Sequence, residues 1–155
     1  MQRWTRTSLR VPSRRHPRGL VDTSVVIELE RIPENALPAE IAVSAITLAE
    51  LAAGPHATND PAERARRQDR LQRAESTFDP IPFDTSTARS YGRAYAELLS
   101  AGRKARGRRA VDVLIAATAL AAELPLYSRN PSDFVGLERL LEIVGVETTP
   151  ADAAR

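Results

Sequence analysis

Four carboxylates in this chain occur in unusual surroundings. Asp22 ends the short apolar run Gly19-Leu-Val. Glu50 lies inside the otherwise apolar stretch Ile46-Thr-Leu-Ala-Glu-Leu-Ala-Ala, which puts an acid near a core boundary. Asp112 directly precedes Val113-Leu-Ile-Ala-Ala, and Asp133 follows Asn130-Pro-Ser. Four carboxylates gathered at one point repel one another and lose solvation, which is tolerable only if some are protonated or a cation is bound. Oxygen donors without histidine or cysteine select a hard ion such as magnesium or manganese. Such an ion in an open acidic site suits phosphoryl chemistry, because it can hold a nucleophilic water and shield charge building on the phosphate. Each acid also has a purely structural reading. Asp22 can cap a helix starting near Ser24, and Asp133 can close an Asx turn. Asp112 can complement a helix dipole, worth about 0.3–1 kcal/mol. Glu50 can pair with an arginine. Periodicity does not bring the four together.

The elements that must position them alternate in type. Gly19 to Asp22 reads as a strand ending at a carboxylate, and Ser24 to Glu30 as a helix. Ile41 to Val43 is a second strand, and Thr47 to Ala53 a helix stopped by Gly54-Pro55. Asp60-Pro61 starts a helix to about Ser76 that reads as a mostly solvated, charged face. Phe78 to Phe83 carries two prolines and can only be a short or edge strand. Asp84 caps a helix to about Ala101. Arg103 to Arg109 reads as a basic loop, and Val111 to Glu123 as an alanine-rich helix. Leu126 to Ser128 is a buried strand, 130–133 a turn, Phe134 to Leu137 a short helical piece and Leu141 to Val146 a last strand. Short apolar strands alternating with helices imply a parallel sheet covered on both faces. Ligand sites in such sheets lie beyond the carboxyl ends of the strands, where Asp22 and Asp133 fall.

Composition narrows the chemistry. A chain of 155 residues is one ordinary domain. Cysteine is absent, so no disulfide, cysteine zinc site or thiol nucleophile is available. The two histidines, His16 and His56, have no metal-ligand spacing, which speaks against a zinc enzyme or a Ser-His-Asp machine. No apolar run approaches a membrane span and no apolar stretch follows the basic N-terminus, so a cytoplasmic protein is expected. The formal charge of +2 is uneven. Residues 1–18 hold six arginines and no acid, which leaves 16 basic against 20 acidic residues, a net of −4, for residues 19–155. Residues 1–18 therefore read as a basic, disordered leader, with an RNA- or partner-binding arm as the functional alternative. Residues 148–155 read as a frayed tail.

Four stretches resemble the signature blocks of PIN domains. They are Val21-Asp22-Thr-Ser-Val-Val-Ile27, Thr47-Leu-Ala-Glu50-Leu-Ala-Ala-Gly54, Asp112-Val-Leu-Ile-Ala-Ala-Thr-Ala119 and Tyr127-Ser-Arg-Asn-Pro-Ser-Asp-Phe134. Each block alone is weak, but four in order is a strong signal. Among PIN domains the chain looks most like the VapC-type toxins of bacterial toxin–antitoxin pairs, with the domain over residues 19–147.

The resemblance implies a three-layer α/β/α fold with a short central parallel sheet and an endoribonuclease dependent on Mg2+ or Mn2+. It also implies an RNA substrate, a VapB-like antitoxin partner and a homodimer. It assigns Asp22 and Asp112 to the metal and Glu50 to the same acidic site. The last block offers Asn130 and Asp133, of which the carboxylate, Asp133, is the choice. Ser128, and likewise Thr23, would orient the first aspartate. Arg103, Lys104, Arg106, Arg108 and Arg109 are the candidates to meet RNA, with Arg129 a further one. Two other readings compete. One is a PIN-like module that binds RNA or protein without cutting. The other is a receiver-type signalling domain, disfavoured because Asp22 lacks an adjacent acid and the single lysine, Lys104, lies in the basic loop.

Overall fold

The computed structural model describes residues 16–150. The rest of the expected leader and residues 151–155 of the tail lie outside the described residues. Four parallel strands form the sheet: β1 (Arg18–Val21), β2 (Glu40–Ala42), β3 (Leu126–Ser128) and β4 (Ile143–Gly145), in the order β2-β1-β3-β4. The helices are α1 (Thr23–Ile27), α2 (Ala45–Ala53), α3 (Pro61–Thr77), α4 (Thr85–Ser100) and α5 (Arg108–Ala121), with short 3-10 turns after α1, after α2 and after β3.

The strands are apolar on both faces because both faces are covered. Leu20 and Leu126 pair in register and face a core with Ala94 and Leu98 of α4 and Val113, Ala116 and Ala119 of α5. Val21 and Tyr127, the next pair, face the other way, toward Val25, Val26, Leu51 and Ala74 of α1, α2 and α3. This alternation makes three layers, the architecture that the block resemblance implied. A close approach sets one backbone position. A Cβ on Gly19 would lie 2.5 Å from the Tyr127 ring, so β1 can pack there only as glycine.

Several boundaries differ from the sequence reading. The Ala39 and Glu40 N–H groups donate to the His16 and Pro17 carbonyls, so the fold begins before Gly19. Thr149 N–H donates to the Arg31 carbonyl at 2.8 Å, which holds the chain past the last strand instead of leaving it frayed from 148. Arg108 and Arg109 are not in a loop. They form the first turn of α5, which places Asp112 in the second turn rather than at the helix start. The 3-10 turn near the last strand runs over Pro131–Phe134, earlier than expected, because Pro131 presets the first helical φ. The proline-containing stretch contributes only an isolated bridge, Ser44 to Ile81.

Candidate active site

The strand order reverses between β1 and β3, and Asp22 leaves the sheet at that switch point. Its N–H donates to the Tyr127 carbonyl at 3.0 Å, which locks the carboxyl end of β1 to β3. Asp22 is also the N-cap of α1, and Oδ1 accepts from Val25 N–H at 3.1 Å. The Ser24 hydroxyl donates to the same oxygen at 2.6 Å, and the Ser128 hydroxyl donates to the carboxylate as well. Both hydroxyls are themselves held. Arg129 N–H donates to Ser24 Oγ at 3.1 Å, and Asn130 N–H to Ser128 Oγ at 2.9 Å. Asp22 is 5% exposed. Burial pushes its carboxyl above the usual range, opposed by the hydrogen bonds from Ser128, Ser24 and the backbone.

Glu50 stands on α2 with different support. Thr23 Oγ1 lies 2.6 Å from Glu50 Oε1 and 3.1 Å from Thr47 Oγ1. A hydroxyl has one proton to give, so Thr23 donates to the carboxylate and Thr47 supplies the proton of the second contact. Ser44, the N-cap of α2, accepts from Thr47 N–H at 3.1 Å and places its hydroxyl 3.4 Å from Thr47 Oγ1. A buried row of hydroxyls thus ends on one oxygen of Glu50. Thr23 serves Glu50, not Asp22 as the sequence reading had it.

Asp112 projects from α5 and is half-buried. Its carboxyl is pushed up to about 6, first by burial and next by the charge of Asp133; Arg108 pulls it down, while Asp22 and Glu50 add to the rise. Asp112 thus feels the charge of the other three acids. All four line one open cavity of about 420 Å³, with Thr23, Ser24, Asn130 and the arginines 67, 70, 108 and 129. Asn130 and Asp133 both reach the cavity, and Asp133 has the charge that acts on Asp112.

Of the expected basic residues, Arg108 and Arg129 line the cavity; Arg103, Lys104, Arg106 and Arg109 do not. Two lining arginines, Arg67 and Arg70, come from α3, which the sequence presents as a solvated face. No pattern in the sequence singles them out. Ser24 was missed too, although a hydroxyl two residues after a capping aspartate is a usable signal. Among the described residues no group of three or more His, Asp or Glu side chains is set to hold a metal ion alone. The donor set still fits a hard divalent cation in an open site. Magnesium commonly takes one or two carboxylates and completes its shell with water and substrate phosphate.

This arrangement, a short parallel sheet with acids from β1, α2, α5 and the turn after β3 at one edge, has known counterparts. A sequence model of the PIN domain matches residues 19–135. Ribonuclease VapC5 of Mycobacterium tuberculosis is 32% identical over 123 residues, covering 77% of this chain and 87% of the relative. Ribonuclease VapC8 of the same species is 41% identical over 102 residues, 65% of this chain and 89% of the relative. In structure, the chain is similar to one in the crystal structure of VapBC-5 from M. tuberculosis, a member of the VapBC family of toxin–antitoxin systems. The TM-score is 0.74 at 32% identity, over 84% of this chain and 99% of that one. FitAcB from Neisseria gonorrhoeae gives 0.64 at 25% identity, over 81% and 96%. The chain belongs to the PIN domain family and, within it, to the VapC group.

Proposed function

We propose that this protein is the toxin of a toxin–antitoxin pair and acts as an endoribonuclease dependent on Mg2+ or Mn2+. The observation that carries this reading is the convergence of Asp22, Glu50, Asp112 and Asp133 on one open cavity, with Asp112 pushed up to about 6 by burial and its acidic neighbours. A protein does not keep four mutually repelling carboxylates at a sheet edge for stability. The names of the VapC relatives and the toxin–antitoxin complexes among its structural counterparts support the substrate class and the partner.

Asp22 and Asp112 would hold the ion, which when bound supplies Lewis acidity at the phosphate and acidity to the attacking water. Asp22 is suited to a fixed position because three donors hold its carboxylate in place. Thr23 occupies Oε1 of Glu50, which leaves Oε2 to orient that water or accept its proton. Asp133 lies in an exposed turn and adds its charge to the acidic lining of the cavity. The arginine rim offsets the charge that would otherwise turn RNA away.

A small antitoxin that lays a cationic side chain against the acids, a homodimer and a cytoplasmic setting belong to the same reading. No helix among the described residues is long and apolar enough to cross a membrane. The test is RNA cleavage with Mg2+, Mn2+ or a chelator, for the wild type and Asp112→Asn. Metal-dependent cleavage that Asp112→Asn abolishes supports the reading. RNA bound but uncut in every metal would point instead to a non-catalytic binding module. Co-expression with the neighbouring small gene product should suppress cleavage and yield a complex.

A further inference from the structure

The four arginines around the acidic cavity are not equivalent. Arg67 is committed: its Nε donates to Glu63 Oε1 at 2.9 Å and its NH1 to the Gly54 carbonyl at 2.9 Å. Arg129 carries Glu28 at 3.8 Å and gives its backbone N–H to Ser24, although its buried Nε has no hydrogen-bond partner. Arg108 sits one helical turn before Asp112 and acts electrostatically on it. Arg70 has none of these ties. Among the described residues it makes no hydrogen bond or ion pair, although its neighbours on α3, Arg66, Arg67 and Arg73, are all paired with carboxylates. It is nonetheless half-buried. It lines both the acidic cavity and a second cavity of about 440 Å³ between α1 and α3, and so stands where the two meet.

A half-buried guanidinium has lost part of its hydration and gains nothing in return until an anion arrives. The carboxylates of the site do not fill that role. The fork of a guanidinium matches two oxygens of a phosphodiester. We propose that Arg70 binds a backbone phosphate of the RNA next to the one being cut, and so positions the strand across the mouth of the cavity. This rests on the ribonuclease reading for its substrate class, but it predicts binding and can be tested without cleavage.

The experiment measures anisotropy of a labelled single-stranded oligoribonucleotide of mixed sequence, with the full chain, in chelator, over a salt series starting near 20 mM. The wild type should bind at low salt. Arg70→Gln should weaken binding about tenfold. It should also reduce the slope of log affinity against log salt by about 0.7, the value for one phosphate contact on a single strand. Arg70→Lys should restore the slope and only part of the affinity. Arg64→Gln, at an exposed position on the same helix that lines neither cavity, should change neither. An unchanged slope and affinity in Arg70→Gln overturns the proposal, as does no RNA binding by the wild type. A loss confined to capture of the antitoxin overturns it as well, since Arg70 would then serve the protein partner. Cleavage by the wild type, scored separately with Mg2+ and Mn2+, decides the ribonuclease reading. If the slope falls but nothing is cut, the binding site stands and that reading fails.

Discussion

Asp22 and Asp112 face the same cavity, yet they are built in opposite ways. Asp22 is buried at a sheet edge, caps a helix and accepts from one N–H and two hydroxyls, each hydroxyl fixed by a backbone N–H from the end of β3. Asp112 is half-exposed on a long helix, makes no hydrogen bond among the described residues, and feels chiefly burial and like charge. One carboxylate is part of the scaffold as well as of the proposed chemistry. The other is a net cost to the empty protein and has value only when something positive arrives. A site can therefore contain residues of equal importance to activity whose contributions to stability have opposite sign.

The largest expected effects test that contrast. On the proposed function, Asp112→Asn should lower RNA cleavage about a thousandfold or more, since a ligand of the proposed ion would stand for several kcal/mol of transition-state stabilisation. Its metal-free melting temperature should stay level or rise. Asp22→Ala should also abolish cleavage but cost about 3 kcal/mol of stability, because a cap is lost and buried donors are left without an acceptor. Asp112→Ala should leave metal-free stability level or raise it. Thermal melts of the three variants in chelator check this, and equal destabilisation by the two alanine variants would end the distinction.

The hydroxyl row behind Glu50 gives the next effect. Thr47→Val keeps the shape but removes the group between Ser44 and Thr23. It should cost about 1 kcal/mol and lower cleavage about tenfold, read from urea midpoints and from kcat. Full activity would mean that Thr23 holds Glu50 unaided.

A smaller effect should appear in the pH dependence of metal-free stability. Asp112 is pushed up to about 6 in the fold, so the native state binds more protons than the unfolded chain between about 4 and about 6. Stability should thus fall as pH rises through that window, the reverse of a salt-bridged acid, and Asp22, also raised, adds in the same direction. Asp112→Asn should flatten the slope, and Mg2+ should diminish it. Denaturant midpoints from pH 4 to 7 measure it. The smallest effect is expected of Arg106→Gln, which lies outside the acidic cavity and should change RNA cleavage less than about twofold. A large loss there would restore the basic loop as the RNA contact and weaken the case for the α3 rim.

How much of this was legible in the sequence varied by element. The apolar runs around Leu20 and Leu126 announced buried parallel strands, because both faces of such strands are covered and the apolar pattern is continuous. Asp60 and Asp84 marked helix starts through the local geometry of capping. The start of α5 was misread because Gly107 and a run of arginines resemble a loop, while the helix gains its support from Val113, Ile115 and Ala116 packing several residues later.

Local chemistry along the chain was enough to establish an α/β domain, a strand ending in a carboxylate and an acid misplaced in an apolar helix, while the family came from the resemblance of four blocks. Those are properties of near neighbours in sequence, where periodicity and capping act. Tertiary structure alone decided that Ser44 and Thr47 stand behind Glu50 through Thr23, and that α3 brings Arg67 and Arg70 to the cavity. Each of these joins side chains from different elements, and their meeting depends on how helices pack across a sheet. A hydroxyl or a guanidinium carries no mark, in its own segment, of the carboxylate it will face.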